Sequence, residues 1–170
     1  MLGDDMDVND VFEEAKSKWK NGQKTPFDDI DTTIGDNLVG GELRKRLGEL
    51  LSVHSTLTRE TAFYRYHAKK MELLRKFVRT KAMEEIFSNQ EYSKIPIKRK
   101  EMMAETHKVK LPNMEEPVSY FNIALKGLVY EYFADVGAGK IVEIRSSLEV
   151  GRSLLSWDKT EFAKGEMNEA

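Results

Sequence analysis

Residues 55–89 read STLTRETAFYRYHAKKMELLRKFVRTKAMEEIFSN. Across these 35 residues there is no proline and no glycine, and eight Lys or Arg are threaded between apolar side chains at helical spacing. Nothing marks a stop before Asn89, so the stretch predicts a single long helix. Laid on a wheel, Tyr64, Ala68, Met71, Val78, Ala82 and Ile86 form one seam, interrupted by Arg75, with the four-and-three spacing of helix–helix packing. Phe63, Tyr66, Leu73, Leu74 and Phe77 widen the apolar sector past half the circumference, which predicts packing on two sides, within the fold or against other subunits. Arg65, Lys69, Lys76 and Arg79 share about 80° of the remaining face, and Lys70 and Lys81 lie further round among the aromatics. A solvated cationic face and a ligand-binding face fit that pattern equally well.

Toward the N-terminus, residues 37–53 predict a second helix buried through Leu38, Leu43, Leu47, Leu50 and Leu51. Gly40, Gly41 and Gly48 weaken it by up to about 1 kcal/mol each relative to Ala, and no clear stop separates it from the central helix. Residues 7–20 predict a short amphipathic helix with Val8, Val11, Phe12, Ala15 and Trp19 on one face, capped by Asp7 or Asn9 and ended by Asn21-Gly22. The segment 22–36 between them reads as a loop or tether. Its acids Asp28, Asp29, Asp31 and Asp36 do not form a calcium loop, because Ile34 and Gly40 stand where such a loop counted from Asp29 needs Gly and Glu.

Toward the C-terminus, Pro96 and Pro112 bracket a basic segment that contains Lys98, Arg99 and Lys100. Pro96 suits a helix start, with Ile97, Met102, Met103 and Val109 as its apolar face. Pro117 is expected to open an amphipathic helix whose core face is Val118, Phe121, Leu125, Leu128, Val129, Tyr132 and Phe133. Gly137 and Gly139 interrupt or kink it. Ile141, Ile144, Leu148 and Leu155 carry the helical period to about Trp157. No strand and no internal repeat stands out. The expected fold class is all-α: one long central basic helix packed with shorter helices in an oligomeric helical assembly. Three regions follow, an N-terminal amphipathic helix and acidic loop (1–36), a helical core domain (37–157) and a disordered acidic tail (158–170).

With 170 residues, 40 % hydrophobic and 33 % charged, the chain is long enough to bury a real core. It has no Cys, which excludes disulfides and thiolate metal sites and favours a cytoplasmic setting. No apolar run is long enough for a membrane span, and the acidic N-terminus lacks the apolar centre of a signal peptide. The net charge of −2 conceals a pattern. Residues 1–53 hold 7 Lys/Arg against 12 Asp/Glu, residues 54–110 hold 14 against 7, and residues 111–170 hold 6 against 10. A basic middle between acidic ends suits a polyanion, or protomers that pair basic with acidic surfaces.

Catalytic constellations are missing from the pattern. His54, His67 and His107 sit in unrelated contexts, without the spacing of a ligand pair, so no metal and no cofactor is expected. Gly137-Ala138-Gly139-Lys140 is not a phosphate loop, because Ala134 and Ile141 occupy the positions where Gly and Ser or Thr are required. The expectation is a binding protein and not an enzyme. Arg and Lys stripes interleaved with Phe63, Tyr64, Tyr66 and Phe77 have the composition of a single-stranded nucleic-acid surface, where cations follow phosphates and rings stack bases. With a pI near 6.0, a weak site repeated around an oligomer would bind better than one protomer alone.

From about Leu50 to Leu155 the layout resembles the UvsY-type recombination mediator proteins of tailed phages. A His-Ser pair (His54-Ser55) enters a long Lys/Arg-rich helix that ends in an aromatic–polar turn, Ile86-Phe87-Ser88-Asn89. A basic connector follows, then a helix with Tyr120-Phe121 near its start and a last helix from Ile141 to Leu155. Arg79-Thr80-Lys81 is the nearest match to the family's late basic–x–basic pair, offset by a residue or two. Ile-Phe-Ser-Asn stands where the family has Tyr-Tyr-Ser-Gly, and the first 36 residues and the acidic tail are additions.

The resemblance implies a non-catalytic protein of DNA recombination and repair, acting in the cytoplasm of a phage's host. It would bind single-stranded DNA, help displace single-strand-binding protein and load a RecA-like recombinase. Arg65, Lys69, Lys70, Lys76, Arg79 and Lys81 would bind DNA, with Lys98, Arg99 and Lys100 as a second patch. Protomers would assemble into a homo-oligomer through Tyr64, Met71, Val78, Phe121, Leu125, Leu128 and Tyr132. The alternatives are a phage structural or assembly protein (a scaffold, tail chaperone or adaptor) acting through helix–helix contacts, and a small regulator that binds a host factor.

Overall fold

A computed structural model of the chain describes Ser17 and residues 25–35, 38–112 and 114–168. Among these residues there are three α-helices, α1 (Gly40–Ser88), α2 (Ile97–Thr106) and α3 (Tyr120–Asn168), and a 3-10 turn over Gln90–Tyr92. The extended pairing among them is an isolated bridge between Val109 and Val118, so the fold is all-α. The helix expected over residues 7–20 lies outside the described residues, Ser17 excepted.

α1 is 49 residues long and joins the two helices expected over 37–53 and 55–89. No proline falls between Pro26 and Pro96, and the glycines near its start are outweighed by packing. Leu43, Leu47, Leu50 and Leu57 are all buried, at about 1.5–3 kcal/mol for each fully buried side chain. Gly40, where the helix opens, has φ +53, a left-handed conformation that glycine adopts without a Cβ penalty. At the far end Asn89 caps the 3-10 turn, its side chain accepting a hydrogen bond from the Glu91 amide at 2.9 Å.

α2 starts after Pro96 as expected, but its buried residues are Lys100 and Ala104, while Ile97 and Met102 are exposed. α3 begins at Tyr120 and not at Pro117. Val118 is instead held by the paired amide–carbonyl bonds with Val109, at 2.8 and 2.9 Å, and the Ser119 hydroxyl accepts from the Asn122 amide at 3.2 Å as a helix cap. α3 then continues through Gly137 and Gly139 and past Trp157 to Asn168. The segment from 158 to 168, expected as a disordered tail, is therefore helical, and its sequence holds no proline to stop it.

The described residues fall into two compact units, Ser17 with Phe63–Tyr132 and residues 25–62 with 133–168. The first is built around Met71, Val78, Ala82 and Ile86 of α1, Ala104 of α2, Val109 and Leu111 of the connector, and Ile123 and Tyr130 of α3. In the second, Phe27 joins the leucines of α1 and Phe133, Ala134, Ile144 and Leu148 of α3 as buried side chains. The expected tether 22–36 is thus anchored. Thr25 donates from its amide and its hydroxyl to the Asp28 carboxylate at 2.7 and 2.8 Å, which shapes the turn that buries Phe27. The Arg46 guanidinium clamps the following residues through Asp31 and the Thr33 carbonyl.

Candidate nucleic-acid interface

The long basic helix belongs to the first unit from Phe63 onward, and its two faces differ. Inward point Met71, Val78, Ala82 and Ile86, with His67 beside them among the rings of Phe63 and Tyr130. The opposite face carries an exposed apolar row: Tyr66 is 65 % exposed, Leu73 60 % and Phe77 50 %. At a rise of about 1.5 Å per residue this row is roughly 16 Å long. Arg65, Lys69 and Lys76 line one edge of it and Lys70 and Lys81 the other, all exposed. The sequence had assigned Tyr66, Leu73 and Phe77 to a two-sided buried sector. Within the chain α1 is buried on one side there, because the α3 residues that cover it, Ile123 and Tyr130, lie along a single face.

The cations of this surface are not equivalent. Glu72 lies between Lys69 and Lys76, at 2.5 and 2.8 Å. Their hydrogen bonds, Lys69's first and Lys76's second, pull its carboxyl pKa down to about 2. An incoming phosphate must therefore compete with Glu72 for both ammonium groups, although exposed pairs of this kind are weak and screened by salt. Lys81 pairs with Glu84 at 3.4 Å, and the Arg79 guanidinium lies over the Tyr120 ring at 5.8 Å. Arg65, Lys70, Lys98 and Arg99 are exposed and form no ion pair among the described residues. They are the cations best placed to meet an outside anion.

Lys100 does not belong with them. It is 7 % exposed, with its ammonium 5.0 Å above the Phe87 ring. Four methylenes let it bury its stem while the charge finds a ring face, something the run Lys-Arg-Lys does not announce. Among the aromatics, Tyr66 and Phe77 are open to a ligand. Phe63 and Tyr64 pack against the core, Tyr64 with its ring 6.4 Å from that of Tyr130.

The residues expected at an oligomer interface also divide. Met71 and Val78 are buried in the chain's own core and Tyr64 packs against it, so these three are not available to another subunit. Phe121, Leu125, Leu128 and Tyr132 are exposed, on the opposite side of α3 from buried Ile123 and Tyr130. They were expected to face the core. α3 is apolar on two sides here, and its core is made by the other one. Their spacing of four, three and four is that of a helix-pairing seam.

Among the described residues no three His, Asp or Glu side chains are grouped to hold a metal ion, and no helix is long and apolar enough to cross a membrane. Comparison of the chain with protein-family models, curated proteins and solved structures finds no match.

Proposed function

We propose that the chain is a non-catalytic single-stranded DNA-binding protein, with the outer face of α1 as its binding surface. The observation that carries this is the exposed Tyr66–Leu73–Phe77 row with lysines or arginine along both edges. A duplex keeps its base faces stacked inside the helix, whereas a single strand offers both partners that this surface suits: phosphates for the cations and base faces for Tyr66 and Phe77. Each stacked base contributes about 1–3 kcal/mol. The resemblance of the sequence to UvsY-type proteins points to a narrower role, a recombination mediator that would act in the cytoplasm beside a single-strand-binding protein and help load a RecA-like recombinase. Self-association through Phe121, Leu125, Leu128 and Tyr132 would repeat a modest site and raise its avidity.

The test is a titration of labelled poly-dT and of a duplex of equal length at two salt concentrations. The expected result is preference for the single strand and affinity that falls steeply as salt rises. Equal binding of both, or binding that ignores salt, rejects the proposal. The Phe121–Leu125–Leu128 seam, which is apolar without a row of cations, favours a second reading as an assembly protein that works by helix–helix contact. Size exclusion that shows a defined oligomer with no affinity for poly-dT is its signature.

A further inference from the structure

The outer face of α1 has an opposite in the sequence of the same chain. Residues 1–15 hold Asp4, Asp5, Asp7, Asp10, Glu13 and Glu14 and no Lys or Arg. At helical spacing the same stretch and its continuation present Val8, Val11, Phe12, Ala15 and Trp19 on one face. The outer face of α1 is the reverse: an apolar row with cations on either side, four of them, Arg65, Lys69, Lys70 and Lys76, within three turns. Amphipathic acidic on amphipathic basic is how two charged helices pair, apolar side chains giving affinity and opposite charges giving orientation.

We propose that the acidic N-terminal segment, residues 4–15, docks on the Tyr66–Leu73–Phe77 face of its own chain and competes there with nucleic acid. The competition rests on the DNA-binding reading above; the docking does not. Tethering makes the segment an intramolecular competitor whose strength is set by its effective concentration and not by protein concentration. A segment docked about nine-tenths of the time leaves about one-tenth of the molecules competent and weakens apparent affinity about tenfold. Because the contact is electrostatic in part, salt loosens the segment as well as the DNA. The full chain is then less salt-sensitive than its exposed cations alone would make it.

The chain has no cysteine, so introduced pairs report cleanly. In the full-length protein, Phe12→Cys is combined with Leu73→Cys in one variant and with Leu128→Cys on the exposed side of α3 in another, and each is treated with a short bis-maleimide. Docking predicts an intramolecular cross-link to position 73 and little to position 128. Equal yields, or none at position 73, overturn it whatever the protein does with DNA. In parallel, a full-length variant carrying Asp4→Asn, Asp5→Asn, Asp7→Asn, Asp10→Asn, Glu13→Gln and Glu14→Gln is titrated with poly-dT. Competition predicts about tenfold tighter binding than the unmodified chain. A cross-link at 73 with unchanged affinity overturns the competition. A cross-link at 73 with no poly-dT binding by either protein retains the docking and rejects the DNA-binding function.

Discussion

His67 places an imidazole in the first unit's core, 7 % exposed, with its Nδ1 lacking a hydrogen-bond partner among the described residues. Burial, and secondarily the nearby charge of Lys70, lowers its pKa below the ordinary histidine value. The unfolded chain therefore takes up a proton first, near pH 6.5. Stability is full above that pH and declines as pH falls toward the folded-state value. His67→Phe removes the unpaired nitrogen and keeps a ring among Phe63 and Tyr130. It is expected to raise the thermal midpoint at pH 5.5 more than at pH 8, a difference that calorimetry at the two pH values measures. Lys98 and Lys100, two residues apart, are expected to behave oppositely. Lys100→Ala loses a ring contact and a buried stem and should cost about 1–2 kcal/mol in urea unfolding. Lys98→Ala should leave unfolding unchanged and weaken poly-dT binding. Equal effects of the two on stability contradict the placement of Lys100 under the surface.

At the scale of the elements, α1 is legible in the sequence because no proline and no glycine interrupts residues 55–89, and local propensity with a helical apolar period is enough to define it. α3 is less legible, since its apolar residues lie on two sides. Periodicity shows Phe121, Leu125, Leu128 and Tyr132 as one stripe and Ile123 and Tyr130 as another, but only tertiary packing decides which is buried. The candidate site was hidden for the same reason: Tyr66, Leu73 and Phe77 look like core until the narrow cover of α1 is known. Lys100 was obscured because a run of cations reads as solvent-facing. The glycines of α3 show the limit of propensity as a guide. A methyl on Gly137 would run into the Thr61 hydroxyl and the Phe27 ring, while Gly139 has open space around it. Gly137→Ala is expected to destabilise by about 1–3 kcal/mol through overpacking. Gly139→Ala is expected to stabilise by up to about 1 kcal/mol through helix propensity. Chemical denaturation of both variants checks the pair, and matching effects would contradict the close approach at Gly137.

For the molecule as a whole, the chain's charge matters through its distribution and not its sum. A net −2 protein would be a poor ligand for a polyanion if its charges were mixed evenly; a basic segment 54–110 between acidic ends makes a local field possible. Self-association is expected to run through the exposed seam of α3, so Leu125→Glu with Leu128→Glu should abolish any oligomer seen by sedimentation while leaving the thermal midpoint within a few degrees. The central claim, that the outer face of α1 takes up single-stranded nucleic acid through rings and cations together, is tested most directly by fluorescence anisotropy of labelled poly-dT. Three full-length proteins are compared: the unmodified chain, Phe77→Leu with Tyr66→Leu, and Lys70→Ala with Lys81→Ala. Both variants are expected to keep the unmodified helicity and thermal midpoint. The leucine pair should lose at least about tenfold in affinity at all salt concentrations, since leucine keeps the apolar surface but not the ring face. The alanine pair should lose affinity mainly at low salt and show a shallower salt dependence. Unchanged binding by both folded variants contradicts the account.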